Sequence, residues 1–195
     1  MTADTKQKIL AAIEEHKKNL ANFEAEGIET IEKAAEVIID CLKNNGRVYI
    51  CGNGGSAADS QHIAAELLVK LREHRKALPA IALTTDTSIL TAVANDYNAE
   101  HIFARQVEAL VSKKDLLWAL STSGSSPNIL KAAKIAKENR AKVLAFTGKT
   151  QSELEKIADV CFCSPADFSD RCQEIHQIAY HIICDLVEQN FCKNK

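Results

Sequence analysis

Short apolar runs alternate with stretches of helical spacing along most of this chain, and that alternation restricts the fold more than any other feature. The runs are Arg47-Val-Tyr-Ile-Cys51, Ala80-Ile-Ala-Leu83, Leu116-Leu-Trp-Ala-Leu120, Val143-Leu-Ala-Phe146 and Asp159-Val-Cys-Phe-Cys163. Runs this short and this continuously apolar suit strands covered on both faces. Strand, helix, strand repetition with short connections predicts a five-stranded parallel sheet between two helical layers, a three-layer α/β/α domain. Before the first strand, apolar residues recur at helical spacing at Ile9, Ile13 and Leu20 and then at Ile31, Ala34, Ile38 and Leu42, with Gly46 as the stop signal. Two extra helices are therefore expected over residues 1–45, and a last helix over about 168–191.

A chain of 195 residues, 46% hydrophobic and 26% charged, can bury one substantial core, so residues 1–195 read as a single domain. The net charge of −2 supplies no basic stripe for a nucleic acid, which leaves small phosphorylated ligands open. Residues 1–18 lack the apolar core of a signal peptide, and no apolar run approaches the ~20 residues of a membrane span, so a cytoplasmic protein without membrane contact is expected. The seven cysteines are an odd number and read as reduced thiols, mostly core filler. A zinc site on Cys161, Cys163 and Cys172 would lack the paired Cys-x-x-Cys knuckles usual in structural sites.

In open parallel sheets, ligands collect beyond the carboxyl ends of the strands, where helices begin with unpaired N–H groups. Two loops there are notable. In Cys51-Gly-Asn-Gly-Gly-Ser56 three glycines let the backbone approach a ligand, and Ser56 is placed to cap the next helix. Ser121-Thr-Ser-Gly-Ser-Ser126 offers five hydroxyls ahead of Pro127 at a first helical position. Hydroxyls and N–H groups at a helix N-terminus favour a phosphate without a lysine. Ordinary turn and capping chemistry explains either loop alone but less readily both. Neither has G-x-G-x-x-G spacing or a Gly-Lys-Ser/Thr ending, which excludes the nucleotide fingerprints.

Cys51-Gly-Asn-Gly-Gly-Ser-Ala-Ala-Asp59 and Ser121-Thr-Ser-Gly-Ser-Ser-Pro-Asn128 resemble the signature loops of sugar isomerase (SIS) domains. Within that superfamily the chain is most similar to phosphoheptose isomerases, through Gln61-His-Ile-Ala-Ala-Glu66, Ala82-Leu-Thr-Thr-Asp86, Asn95-Asp-Tyr97, Phe103-Ala-Arg-Gln-Val107 and Asp170-Arg-Cys-Gln-Glu-Ile-His176. The resemblance implies conversion of sedoheptulose 7-phosphate to D-glycero-D-manno-heptose 7-phosphate, the first step toward nucleotide-activated heptose. It also implies a homotetramer assembled through the N-terminal helices, with active sites between subunits.

His62 and Glu66 lie four apart on one face of the helix after the first loop, which sets two proton carriers together. On the last helix spacing aligns Glu174 with His181 better than Gln173 with His181, and periodicity does not choose between them. The resemblance implies His62, Glu66, Gln173 and His181 around one Zn2+ per subunit, with Glu174 a scaffold residue. It further implies Glu66 and His181 as the acid–base pair of an enediol mechanism. Asn53, Gly54, Gly55, Ser56, Ser121, Ser123 and Ser126 are then expected at the phosphate, and Asn95, Asp96, Thr122, Asp170 and Gln173 along the sugar. The chain departs from the family where Leu68-Val-Lys-Leu71 replaces a Gly-Arg-aromatic segment, Lys70 standing for the arginine, and where Ala94 and Asn98 replace glycines. Two other readings share the motifs: a non-catalytic SIS binding protein, such as a replication-initiator partner or sugar-phosphate sensor, which would be expected to lack the Glu66 and His181 pair, and an isomerase of another ketose phosphate.

Overall fold

The computed structural model describes residues 3–164 and 166–192. Residues 1, 2, 165 and 193–195, which the expected 1–195 domain includes, lie outside the described residues. Helices α1 (Ala3–Glu26) and α2 (Ile28–Lys43) precede β1 (Val48–Cys51). The chain continues through α3 (Gly55–Leu68), β2 (Ala80–Ala82), α4 (Thr87–Asp96), a 3-10 turn at Ala99–His101, and α5 (Ala104–Leu110). It then runs through β3 (Leu116–Ser121), α6 (Pro127–Glu138), β4 (Lys142–Thr147), α7 (Glu153–Ile157), β5 (Val160–Cys163) and α8 (Ser169–Cys192). The strands form one sheet in the order β2-β1-β3-β4-β5, and every pairing is parallel. All five expected strands are present.

Alternation along the strands divides the core into two layers. Val48, Ile50, Leu116, Trp118, Leu120, Leu144, Phe146 and Phe162 point to the side covered by α2, α3 and α8. Tyr49, Cys51, Leu117, Ala119, Val143 and Ala145 point to the side covered by α5, α6 and α7. Because both faces are covered, β3 is buried at every position, which is why its sequence shows no polar alternation.

The two N-terminal helices behave differently. The α2 stripe Ile31, Ala34, Ile38 and Leu42 is buried on the sheet, each large side chain contributing on the order of 1.5–3 kcal/mol. Gly27 makes the corner from α1 to α2, where a Cβ would stand 2.4 Å from Phe23 Cδ2. Beyond that corner α1 touches the domain through Phe23, stacked edge-on to Phe162 at 5.2 Å, through an ion pair from Glu15 to Arg171 and through a hydrogen bond between His16 and Glu174. Ile9, Leu10, Ile13 and Leu20 remain 39–50% exposed.

Strand order reverses direction between β1 and β3: β1 leads through α3 to β2 on one side, and β3 leads through α6 to β4 on the other. The crevice beyond their carboxyl ends is the position where open α/β sheets bind ligands. Both loops singled out above open into it.

Candidate active site

The glycine loop is shaped by backbone demands. Gly54 has φ +55°, a conformation that L side chains rarely adopt, and a Cβ there would meet nothing within 4 Å, so the space above it is open for a ligand. Gly54 is the N-cap and α3 begins at Gly55, so Ser56 does not cap the helix as its position suggested. The left-handed glycine starts the helix two residues early and places Ser56 inside it, buried.

In the serine loop the expectation holds: Pro127 is the first residue of α6 and Ser126 its N-cap. Ser126 makes no capping bond with its hydroxyl; Oγ instead lies 3.1 Å from Ser121 Oγ and 3.5 Å from Ser123 Oγ. Ser121 and Ser123 are 3.3 Å apart, so the three hydroxyls form one cluster. Thr122 Oγ1 donates to Ser169 Oγ at 3.1 Å, at the start of α8.

A cavity of about 240 Å³ collects the two loops, lined by Asn53, Gly54, Gly55, Ser56, Ser121, Thr122, Ser126, Ser169 and Gln173. The N-termini of α3, α6 and α8 all meet there. Asn128, quoted in the second motif but given no role, proves to be the bridge: its side-chain amide exchanges two hydrogen bonds with Asn53, at 2.8 and 2.9 Å, and ties the loops together. Only the fold could reveal this pair, since its members stand 75 positions apart.

Helices α3 and α8 run side by side in the same direction, as their contacts show: Gln173 against Gly55, Tyr180 against His62, and Glu188 against the segment after α3. Further along this pair His62, Glu66 and His181 gather with their ligand atoms within 4.8 Å of one another. His62 Nε2 lies 3.0 Å from Glu66 Oε1 and 3.4 Å from His181 Nε2. The other ring nitrogen of His62 is 2.9 Å from the Tyr180 hydroxyl, a contact that spacing did not suggest. Burial is the main influence holding the His181 imidazole below its ordinary pKa; the charge of His62 adds to it and Glu66 opposes it. Two imidazoles and a carboxylate at this separation suit a divalent cation with open coordination positions. Among the described residues this is the group of His, Cys, Asp and Glu that could hold a metal ion, so Cys161, Cys163 and Cys172 do not gather as a ligand set.

Gln173 stands elsewhere. Its amide oxygen would lie 2.4 Å from a Cβ on Gly55, and it is eight residues, about 12 Å of helix rise, before His181. The glycine at 55 is what admits it to the phosphate end. Glu174, which spacing aligned with His181, turns to the N-terminal helix and binds His16 at 3.0 Å and Arg171 at 2.7 Å. Asn95 and Asp96 are exposed at the end of α4, bonded to each other at 2.8 Å, and Asp170 is exposed beside Arg171; none of the three lines the cavity in this chain. Lys70 faces His74 at 3.4 Å.

The end of α3 that carries Glu66 is clamped by a buried ion pair. Arg75 donates to the carbonyls of Glu66 and Leu67, both at 2.8 Å, closing the helix, and its Nε is 3.3 Å from Glu188. Glu188 also accepts from the backbone N–H groups of Leu71, Arg72 and Glu73. Burial would raise the Glu188 carboxyl, but those three donors and Arg75 hold it below its ordinary value.

These features define a class: a parallel α/β domain with a cavity of hydroxyls, amides and helix starts at its switch point and a His, Glu, His group about 10 Å further along α3. The SIS domain family model matches residues 13–148, more than half of the chain. The phosphoheptose isomerase of Helicobacter pylori (strain P12) is 44% identical over 95% of this chain and 94% of its own length. Solved structures of phosphoheptose isomerases superpose with TM-scores of 0.89 (Neisseria gonorrhoeae, 38% identical, 95% of this chain and 99% of that one) and 0.91 (Francisella tularensis, 36% identical, 97% and 100%). The chain belongs to the SIS domain family and, within it, to the phosphoheptose isomerases. No helix among the described residues is long and apolar enough to cross a membrane.

Proposed function

We propose that the protein isomerises sedoheptulose 7-phosphate to D-glycero-D-manno-heptose 7-phosphate, with Glu66 and His181 as the proton carriers. One observation carries the reading: an anion cavity built from two loops lies at one end of the α3 and α8 pair, and the His62, Glu66 and His181 group lies further along it. The separation, about 10 Å along α3 from Gly55 to His62, is on the scale of an extended seven-carbon sugar phosphate. Membership among phosphoheptose isomerases favours this substrate over other ketose phosphates and over a binding protein without catalysis.

Moving a carbonyl from C2 to C1 requires a proton to leave C1 and another to arrive at C2, through an enediol. Glu66 is partly buried beside His62, and His181 sits across from both, so one group takes the proton on one carbon while the other supplies it to the neighbouring carbon. The two exchange roles in the reverse direction. His62, Glu66 and His181 would hold a zinc ion, one per subunit, and Zn2+ bound there would supply polarisation of the carbonyl oxygen. Gly54, Gly55, Ser56, Ser121 and Ser126 hold the phosphate through backbone N–H groups and hydroxyls, joined by Ser123 through its hydroxyl contacts with Ser121 and Ser126, while Asn53, bonded to Asn128, fixes the loop. Thr122 and Gln173 face the sugar chain from the same cavity.

Asn95, Asp96 and Asp170 stand outside this cavity, and the apolar face of α1 is open; both features support a homotetramer in which the N-terminal helices pack together and a neighbouring subunit completes each site. Expression in the cytoplasm fits a phosphorylated sugar substrate.

Incubation of the purified protein with sedoheptulose 7-phosphate, with and without zinc and followed by NMR, tests the reading. Appearance of heptose 7-phosphate, and its loss in Glu66→Gln and His181→Ala, is the expected result. A folded protein that turns over nothing in any metal condition would reverse it.

A further inference from the structure

We propose that Tyr180 and Asp59 form an outer shell that fixes His62 with Nε2 presented to the cation site, which makes Tyr180 a positioning residue for the reaction. The proposal rests on the reading of His62, Glu66 and His181 as a cation site. A neutral imidazole carries one N–H, so an Nε2 that offers its lone pair must have the hydrogen on Nδ1, and that hydrogen needs an acceptor. His62 Nδ1 lies 2.9 Å from the Tyr180 oxygen. A phenol has one hydrogen to give, and Asp59 Oδ1 lies 3.5 Å from the same oxygen, placed to receive it.

The direction of this chain follows from Asp59. Its other oxygen, Oδ2, is buried with no hydrogen-bond partner among the described residues, so the Tyr180 hydroxyl is the side-chain donor that meets the carboxylate. Were the Tyr180 hydrogen turned to His62 Nδ1 instead, Asp59 Oδ1 would lose that donor as well, and the hydrogen on Nε2 would block the lone pair. With a cation at Nε2, where Glu66 Oε1 otherwise lies 3.0 Å away as an acceptor, Asp59 accepts from Tyr180 and Tyr180 accepts from His62.

Packing reinforces the hydrogen bonds. The Tyr180 ring is fully buried and lies against both imidazoles, with centroids 5.5 Å from His62 and 4.7 Å from His181. The two imidazoles meet edge-on at 4.9 Å. Asp59 and His62 are three apart on α3, and Tyr180 precedes His181 on α8, so the arrangement exists because these helices run side by side.

The test uses full-length protein with ¹⁵N-labelled histidine, comparing wild type with Tyr180→Phe, which keeps the ring, and with Asp59→Asn, which keeps the shape. Zinc affinity is read by competition with a chromogenic chelator, His62 by ¹⁵N NMR of the zinc-loaded protein, and turnover as separate kcat and KM. Tyr180→Phe is expected to bind zinc about 10–100-fold more weakly, to lose the hydrogen-bonded Nδ1–H signal of His62, and to lower kcat with KM unchanged. Asp59→Asn should fall between it and wild type; if Tyr180→Phe does not fold, this variant decides through the same affinity and signal. Equal zinc affinity and an unchanged His62 signal in a folded Tyr180→Phe would overturn the proposal alone. Failure of wild type to take up zinc would overturn the cation reading and the proposal with it.

Discussion

The two ends of the α3 and α8 pair are built from opposite kinds of groups. At the start of the pair no charged side chain lines the cavity; glycine backbone, hydroxyls and amides do. Further along, the group is made of ionisable side chains, two imidazoles and a carboxylate. Between them sits His176, buried, with Nε2 3.0 Å from the Thr147 carbonyl and no partner for Nδ1 among the described residues. On the proposed function, the difference assigns substrate affinity and proton transfer to separate stretches of the same two helices, so substitutions should separate them.

The largest separation is expected at the far end. Glu66→Gln and His181→Ala should each lower kcat by about 10²–10⁴, while inorganic phosphate binds the cavity as in wild type; steady-state kinetics with an isothermal titration of phosphate checks both. If phosphate affinity falls equally, the two ends are not independent.

The middle of α8 should affect neither substrate affinity nor proton transfer but should govern stability. Burial holds His176 down at about 4, below its ordinary 6.5, despite the hydrogen bond to Thr147. The unfolded chain then binds the proton more readily, so stability is full above about pH 6.5 and is lost as pH falls toward 4, by on the order of 3 kcal/mol. Thermal unfolding across that window should lose much of its pH dependence in His176→Gln.

At the near end, Ser121→Ala removes a hydroxyl from the cluster of three. A hydrogen bond to a charged group is worth about 1.5–3 kcal/mol, so KM should rise roughly 10–100-fold with little change in kcat. The smallest effect is expected from Asn128→Ala, which unties the two loops without removing a donor to the phosphate. Net loss of about 1 kcal/mol should raise KM several-fold. A fall in kcat in either variant would mean that the phosphate end also sets the position of the reacting carbons.

The sheet was legible because parallel strands covered on both faces must be apolar at consecutive positions, as Leu116 to Leu120 are. The pairing of His62 with Glu66 was legible because helical spacing alone sets it. Contacts between distant segments were not. Spacing favoured Glu174 as the partner of His181, but a hydrogen bond with His16, 158 positions away, ties Glu174 to α1. The cap expected at Ser56 failed for a backbone reason: Gly54 takes a left-handed conformation and starts the helix earlier. Tyr180 and Asn128 act through partners more than 70 positions distant, so nothing local marked them. The apolar residues of α1 and α2 looked alike as sequence, yet α2 is buried and α1 is not, because the corner at Gly27 leads α1 away from the sheet.

The convergence of α3, α6 and α8 on one cavity also sets a direction for the ligand. Each helix start is equivalent to about half a positive elementary charge, so three of them face a phosphate with roughly the charge of one and a half cations, none of it on a side chain. The other end of α3 bears the opposite sign, close to where the carboxylate of Glu66 stands. On the proposed function, a sugar phosphate approaching this gradient would be turned before it touches a hydroxyl, the anion drawn in first and the carbonyl trailing toward the ionisable end. Orientation is thus written into the backbone, and side-chain changes at either end can weaken the grip without reversing which way the molecule lies.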